Sequence, residues 1–366
     1  MKKFLAMGSL FAVLTMTAST GWAAVAQFNG SGTDFLTAGN WTPAGVPSAG
    51  NQYIINNGLT ANYSTNVFTT VASLIVGADY PAPGDFGTAG TFNMSAGSME
   101  VTGGGSAFTV ARACCSGDGI VNLTNNATLT VDGSDPQVGQ RDHGELHIGP
   151  LASVISPTSY WRLGNYGANV DSGLQGDGLL DVQGSFLANV IFLGDSDSHG
   201  ELRVSGHGSV TLNDSLVPNT ATNQPDRSAL VQMIGSTASL HAVNDQSANG
   251  ATEVHNKYIF TADAGGISPI TLSDAVNIDN NDLTVNLAGF AVSPSSVITL
   301  FDAAPNRIFG AFANVTITGS SVQGLHVIYD QNSGNISIAT PEPSSMLLLG
   351  IGAVVCGTFS TRRNSR

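Results

Sequence analysis

Five short segments of the chain share one pattern and decide the fold. They are GTFNM at residues 90–94, GIVNL at 119–123, GELHI at 144–148, GLLDV at 178–182 and GELRV at 200–204. Each begins with glycine and has apolar side chains at its third and fifth positions, while the second and fourth positions are mostly polar. Because side chains alternate between the two faces of a β-strand, this pattern predicts five strands that each bury one face.

Two further columns of apolar residues follow these segments. The first lies eight to ten residues after each glycine, is preceded each time by Ser or Thr, and comprises Met99, Leu129, Val154, Phe186 and Val210. The second is a hydrophobic residue followed by a small one: Val76-Gly77, Val110-Ala111, Val138-Gly139, Leu163-Gly164, Leu193-Gly194 and Ile234-Gly235. Three short strands in each repeat predict one coil of a parallel β-solenoid, in which equivalent residues stack into ladders.

The predicted fold class is therefore all-β: a right-handed parallel β-helix with a C-terminal β-rich cap and a short C-terminal hydrophobic helix. The hand follows from the strong preference of parallel crossovers. A blade-type propeller, the main alternative, needs four antiparallel strands in about 40–50 residues, and most of these repeats are shorter. Composition agrees, because 10% of residues are charged and 44 of 366 are glycine, which disfavours a helix-rich enzyme.

The chain divides into five predicted segments. These are a signal peptide at 1–26, an N-terminal cap at 27–66, solenoid repeats at 67–245, a β-rich cap at 246–340 and a sorting segment at 341–366. The first is predicted because Lys2 and Lys3 precede an apolar run at 4–13, and small residues then offer cleavage after Ala23 or Ala26.

The C-terminus has three features in order. Pro341-Glu342-Pro343 is followed by an apolar stretch at 346–359 and then by Arg362 and Arg363. This arrangement resembles the PEP-CTERM sorting signal of Gram-negative bacteria. Residues 27–66, which contain Asn40-Trp41, Gly45-Val46-Pro47 and Tyr53-Ile54-Ile55, resemble the opening of secreted bacterial β-solenoids with autotransporter-like repeats. The resemblance implies export, transient inner-membrane anchoring and processing by an exosortase-type sorting enzyme. A 14-residue helix spans only about 21 Å, short of a bilayer core of about 30 Å, so it would hold the membrane weakly.

Charge restricts the partners. Five of the 12 basic residues and one of the 26 acidic residues lie in the two terminal segments, so residues 27–340 carry 7 basic and 25 acidic side chains, a net charge of −18. Such a chain repels nucleic acid. Extracellular polysaccharide is the expected partner of an exported protein of this kind.

Two groups of residues are candidates for metal binding. His143, Glu145 and His147 alternate along one predicted strand face, with Asp177 and Asp181 expected in the neighbouring coil. They suit zinc or copper, or else form the polar outer column of a solenoid; residues two apart on a strand are separated by about 6.6–6.8 Å and converge poorly on one ion. Residues 195–199 have the sequence DSDSH, which makes Asp195 and Asp197 calcium candidates, although the glycine and distal glutamate of an EF-hand loop are missing. No other cofactor is expected.

The sequence provides little support for catalysis. Arg112, Arg141, Arg162 and Arg203 fall in separate coils, and although Arg141 and Arg162 could share a groove, no general base is apparent beside them. The adjacent Cys114 and Cys115 could close only a strained ring. We expect an exported structural or adhesive protein of the cell surface or extracellular matrix, not an enzyme. The alternative is a secreted polysaccharide lyase or hydrolase; an ice-binding role would need regular Thr-x-Thr ladders.

Overall fold

The structure, a computed structural model, describes residues 24–78, 88–112, 117–133, 135–165, 176–194, 198–218, 228–246, 256–293, 295–320 and 323–340. Within these ranges the protein forms 31 β-strands, numbered here in chain order, and one turn of 3-10 helix at Ala38–Asn40. The strands wind into a parallel β-solenoid of about nine turns. The predicted all-β solenoid is confirmed. The predicted C-terminal hydrophobic helix lies outside the described residues.

Three parallel ladders run along the solenoid. Ladder I contains one strand from each of ten levels. Its strands are β4 (Leu59–Tyr63), β7 (Gly90–Met94), β10 (Gly119–Leu123), β13 (His143–Ile148), β15 (Asp177–Val182), β17 (His199–Ser205), β20 (Ser228–Ile234), β23 (Lys257–Thr261), β26 (Asp282–Asn286) and β29 (Asn314–Thr318). Nearly every strand alternates buried and partly exposed side chains, as a one-sided core requires.

Ladder II follows ladder I in each coil. Its strands are β5 (Phe68–Val71), β8 (Ser98–Val101), β11 (Thr128–Val131), the first part of β14 (Ser153–Leu163), the first part of β16 (Ser185–Leu193), β18 (Ser209–Leu212), β21 (Ser239–Ala242), β24 (Ile270–Leu272) and β27 (Val297–Asp302).

Ladder III completes the coil. It comprises β1 (Val25–Phe28), β3 (Gln52–Ile55), β6 (Ser73–Val76), β9 (Phe108–Val110), β12 (Gln137–Val138), the second parts of β14 and β16, β19 (Ser215–Pro218), β22 (Asn244–Gln246), β25 (Val276–Asn277) and β28 (Ile308–Phe309). The remaining strands are β2 (Trp41–Thr42), β30 (His326–Asp330) and β31 (Asn335–Ala339).

The predicted columns are in register, with one exception. The five aligned glycines pair directly in ladder I, and the Ser/Thr-preceded column pairs in ladder II. In ladder III, Leu193 pairs with Pro218, not with Ile234. The assignment of Ile234-Gly235 to this column was wrong, because Ile234 ends β20 in ladder I, opposite Ser205. Pro218 lacks the small neighbour that marks the other corners.

Parallel pairing extends beyond the predicted repeat range of 67–245. At the N-terminal side β3 and β4 already pair in parallel with β6 and β7, and at the C-terminal side β23, β26 and β29 continue ladder I. The segment predicted as a cap at 246–340 therefore contains further coils. Among the described strands of this segment, antiparallel pairing occurs at its end, where β31 joins both β27 and β30.

The strand β1 contains one of the two predicted signal-peptide cleavage sites. Val25 and Ala26 pair with Gln52 and Tyr53 at the start of ladder III. Cleavage after Ala23 would leave this strand whole, whereas cleavage after Ala26 would remove its first half. Of the two predicted sites, the one after Ala23 is the one that leaves the paired strand intact.

Glycine at the corner after ladder III is required by geometry. Gly164, which follows Leu163, has φ of 66°, and a Cβ there would overlap the carbonyl oxygen of His199 in the next coil. Left-handed backbone and a close approach both exclude ordinary side chains. This explains why the hydrophobic-small pairs recur as sequence markers.

The core is one continuous apolar column closed by aromatic residues at each end. At the N-terminal end the Trp41 ring lies 5.0 Å from Phe35 and 4.8 Å from Tyr53, and its Nε1 donates to the Phe35 carbonyl at 2.7 Å. At the C-terminal end Phe301 packs edge-on against Tyr258, with ring centroids 5.2 Å apart. Edge-to-face aromatic pairs stabilise beyond their burial.

Candidate functional site

The outer face of ladder I brings the sequence-predicted polar residues together. In β13 the side chains of His143, Glu145 and His147 point outward because Gly144, Leu146 and Ile148 occupy the buried positions. His143 pairs with Asp177 of β15, and His147 pairs with Asp181, as the column alignment predicts.

Hydrogen bonds join these residues into one cluster. His143 Nε2 lies 2.6 Å from Glu145 Oε1, and its Nδ1 lies 2.9 Å from Asp177 Oδ2. His147 Nε2 lies 2.6 Å from Glu145 Oε2, and its Nδ1 lies 3.5 Å from Asp181 Oδ2. Both nitrogens of each ring therefore face carboxylates, an arrangement that favours the doubly protonated imidazolium.

The pKa values in this cluster shift accordingly. For His143, partial burial opposes the charged ring, but hydrogen bonds and charge from Glu145 and Asp177 outweigh it and raise the pKa. The hydrogen bond to Asp181 is the largest influence on His147, and with Glu145 it raises that pKa despite burial. Burial alone would raise the pKa of Glu145, but the two histidines lower it.

The variant Glu145→Gln should lower the pKa of both His143 and His147, because it removes the carboxylate they share. NMR titration of labelled histidines measures this directly. The matched control is Glu201→Gln, since Glu201 accepts from Arg203 and Gln232 at 2.7 and 2.8 Å and from no histidine. Unchanged titration of both rings in Glu145→Gln would contradict the hydrogen-bond assignment.

The raised pKa values of these histidines make the free energy of unfolding depend on pH. A raised folded-state pKa contributes stability below the unfolded value of about 6.5, which is lost as pH rises through the folded-state pKa. His143 remains 39% exposed at its side chain, so solvent screening keeps the contribution small.

In the described part of the chain, no group of three or more His, Cys, Asp or Glu side chains is placed to hold a metal ion. Glu145 is engaged by both histidines. Asp195, Asp197, Cys114 and Cys115 lie outside the described residues, so the calcium candidates stay a prediction.

Outer polar residues are paired mainly with their neighbours in adjacent coils. Asn122 donates to Asn93 at 2.9 Å, and Asn93 donates to Asn62 at 3.0 Å, forming an asparagine ladder. Farther along, His199 Nδ1 lies 2.5 Å from Ser228 Oγ. In ladder II, Thr130 lies between Glu100 and Ile155, so no regular Thr-x-Thr ladder passes through Thr128 and Thr130.

The sequence suggested that Arg141 and Arg162 could share a groove, but the structure gives the two side chains different surroundings. Arg162 donates to Asp135 at 2.6 Å, and its guanidinium lies 5.0 Å from the Phe192 ring centre. Arg141 lines a cavity together with Arg112 instead, and Arg162 is not among that cavity's lining residues. Arg203 belongs to the outer face of ladder I, where it pairs with Glu201.

One ionisable pair was not predicted from the sequence. Asp245 of β22 occupies an inward position between Leu216 and Val276, and Tyr258 Oη donates to its Oδ2 at 2.5 Å. Its other oxygen is buried without a hydrogen-bond partner among the described residues. Complete burial raises the pKa of Asp245 to about 7, although the Tyr258 hydrogen bond opposes the shift. Nothing in the sequence NDQ at 244–246 predicts an inward aspartate.

The C-terminal segment is recognised by comparison with known proteins. Residues 339–364 match the PEP-CTERM protein-sorting motif, and this match includes Pro341, Glu342, Pro343, Arg362 and Arg363. The chain carries a PEP-CTERM sorting motif. No curated protein and no solved structure matches the chain.

The PEP-CTERM motif indicates how the protein is sorted. It implies recognition by exosortase-type sorting machinery and export to the cell envelope or surface. Residues 341–366 lie outside the described ranges. Within those ranges no helix has the length and hydropathy that a membrane span requires.

Proposed function

We propose that this PEP-CTERM protein is a structural or adhesive component of the cell surface or extracellular matrix, where it associates with extracellular polysaccharide. Its sorting precursor would be held transiently in the inner membrane. The observation that carries the proposal is a sorting motif attached to a solenoid whose outer polar residues pair along the ladders. Ten strands at a spacing of about 4.8 Å give ladder I a repetitive face about 43 Å long, suited to an extended polymer.

The polar residues of this face support a binding role more than catalysis. Glu145 is shared by two histidines, and Glu201 accepts from Arg203 and Gln232, so both carboxylates are committed to neighbours. A glycoside hydrolase needs two carboxyl groups placed on either side of one bond. The experiment below also tests whether the protein cleaves polysaccharide.

Fractionation of cultures of the producing bacterium tests the proposal. We expect the protein to copurify with extracellular polysaccharide, and deletion of its gene to weaken cell attachment or matrix cohesion. Recovery of the protein free of polysaccharide, with attachment and cohesion unchanged in the deletion strain, would contradict the proposal. Shortened polysaccharide chains after incubation with the purified protein would favour a lyase or hydrolase.

A further inference from the structure

A groove on the outer side of ladder III has a composition unlike the rest of this acidic protein. Ile54 and Ile75 are in register on β3 and β6, point away from the main core, and pack with Ala78 in a separate apolar cluster. A cavity of about 360 Å³ lies against them, lined also by Gln52, Gln140 and two arginines, Arg112 and Arg141.

The cavity continues along the strands. A second cavity of about 430 Å³ shares Gln52 and Arg112 with the first and adds Ser73 and Ser106. We call the two together the arginine groove. Each has the volume of an ordinary small-molecule site, which ranges from about 300 to 1,000 Å³.

The charge of the groove is opposite to that of the protein. The chain has 12 basic and 26 acidic residues, yet among the described residues that line these cavities two are arginines and none is acidic. Arg112 is exposed and forms no ion pair within the described part of the chain. Gln140 Oε1 is buried beside the groove without a hydrogen-bond partner among the described residues.

We propose that the arginine groove binds a carboxylate-bearing sugar unit of an extracellular polysaccharide, a proposal that rests on the function proposed above. A guanidinium matches a carboxylate with two parallel hydrogen bonds. Gln52, Ser73 and Ser106 line the cavities with polar groups that suit sugar hydroxyls, and the buried side chains of Ile54 and Ile75 form an apolar base beneath them. On this acidic protein, the exposed guanidinium of Arg112 gives an anionic sugar a partner of opposite charge.

Titration calorimetry with short oligouronates tests the proposal on the purified full chain, with neutral dextran oligosaccharides and inorganic phosphate as comparison ligands. Arg112→Gln should weaken oligouronate binding at least tenfold, since a charged hydrogen-bonding partner is lost. Arg112→Lys should restore only part of the affinity, because it keeps the charge but not the planar fork. Arg307→Gln, which removes an exposed arginine paired with Asp274, should leave binding unchanged.

The alternatives have distinct outcomes. Oligouronate binding that is equal in wild type, Arg112→Gln and Arg141→Gln would overturn the assignment of the site. Equal affinity for neutral dextran oligosaccharides would overturn the anionic class of the ligand, and equal affinity for inorganic phosphate would overturn its sugar component. If no oligouronate binds while the protein still copurifies with extracellular polysaccharide, the groove proposal fails and the proposed function stands.

Discussion

Replacing Leu180 with aspartate should destabilise the solenoid by at least about 5 kcal/mol. Leu180 is fully buried in ladder I, directly between Leu146 and Leu202 of the adjacent coils. The variant loses a core leucine and gains a buried charge without a partner, each of which costs several kcal/mol. Because coils are stable only when stacked on neighbours, the damage spreads along the ladder.

Thermal unfolding followed by circular dichroism measures the effect. The matched control is Leu230→Asp, which places the same charge on the outer face of ladder I, between Glu201 and Lys257. The control should unfold close to wild type, and Leu180→Asp should unfold at least about 10 °C lower, at about 2–4 °C per kcal/mol. Equal unfolding temperatures for the two variants would show that the inward and outward positions have been assigned wrongly.

The variant Asp245→Asn should remove a pH-dependent destabilisation of about 4 kcal/mol. An aspartate with an unfolded pKa of about 3.9 and a folded-state pKa of about 7 stays protonated in the core, while the unfolded chain releases its proton. The folded state therefore loses stability as pH rises from about 4 to 7, and the loss is constant above that. Asparagine accepts the same hydrogen bond from Tyr258 but does not ionise.

The test compares the free energies of unfolding of Asp245→Asn and wild type at pH 4 and again at pH 8. Denaturant unfolding should show Asp245→Asn gaining about 4 kcal/mol relative to wild type between the two pH values. Asp302→Asn, at an exposed position of β27, is the control and should show no comparable gain. A pH-independent effect of Asp245→Asn would mean that the folded protein carries Asp245 ionised near neutral pH, or exposes it.

Most of the solenoid could be predicted from sequence because burial restricts its columns strongly. Positions such as Phe92, Val121 and Leu146 face a continuous core, so only apolar residues fit. The later coils could not be predicted in this way, because their ladder I strands lack the glycine that begins the earlier ones. Gly200 pairs with Ala229, and no glycine occupies this position in the ladder I strands that follow. The sequence therefore predicts a cap where the structure has further coils.

The site could be predicted only in part. Column alignment identified the neighbours of His143 and His147, because register alone determines which residues lie side by side. It did not show that Glu145 bridges both rings, which depends on side-chain torsions. The Asp245–Tyr258 pair joins different ladders, and its polar strand β22 resembles a turn in sequence. Arg112 and Arg141 line the same cavity from loops, whose geometry strand periodicity does not describe.

The PEP-CTERM motif implies that the solenoid is exported to the cell envelope or surface. Mass spectrometry of the C-terminus of extracellular protein, from a host that contains the sorting enzyme, tests it most directly. We expect the chain to end near Pro341-Glu342-Pro343 and to lack residues 346–366. Replacing that tripeptide with alanines should leave an unprocessed, membrane-associated form. An extracellular protein that retains Arg366 would contradict processing through the motif.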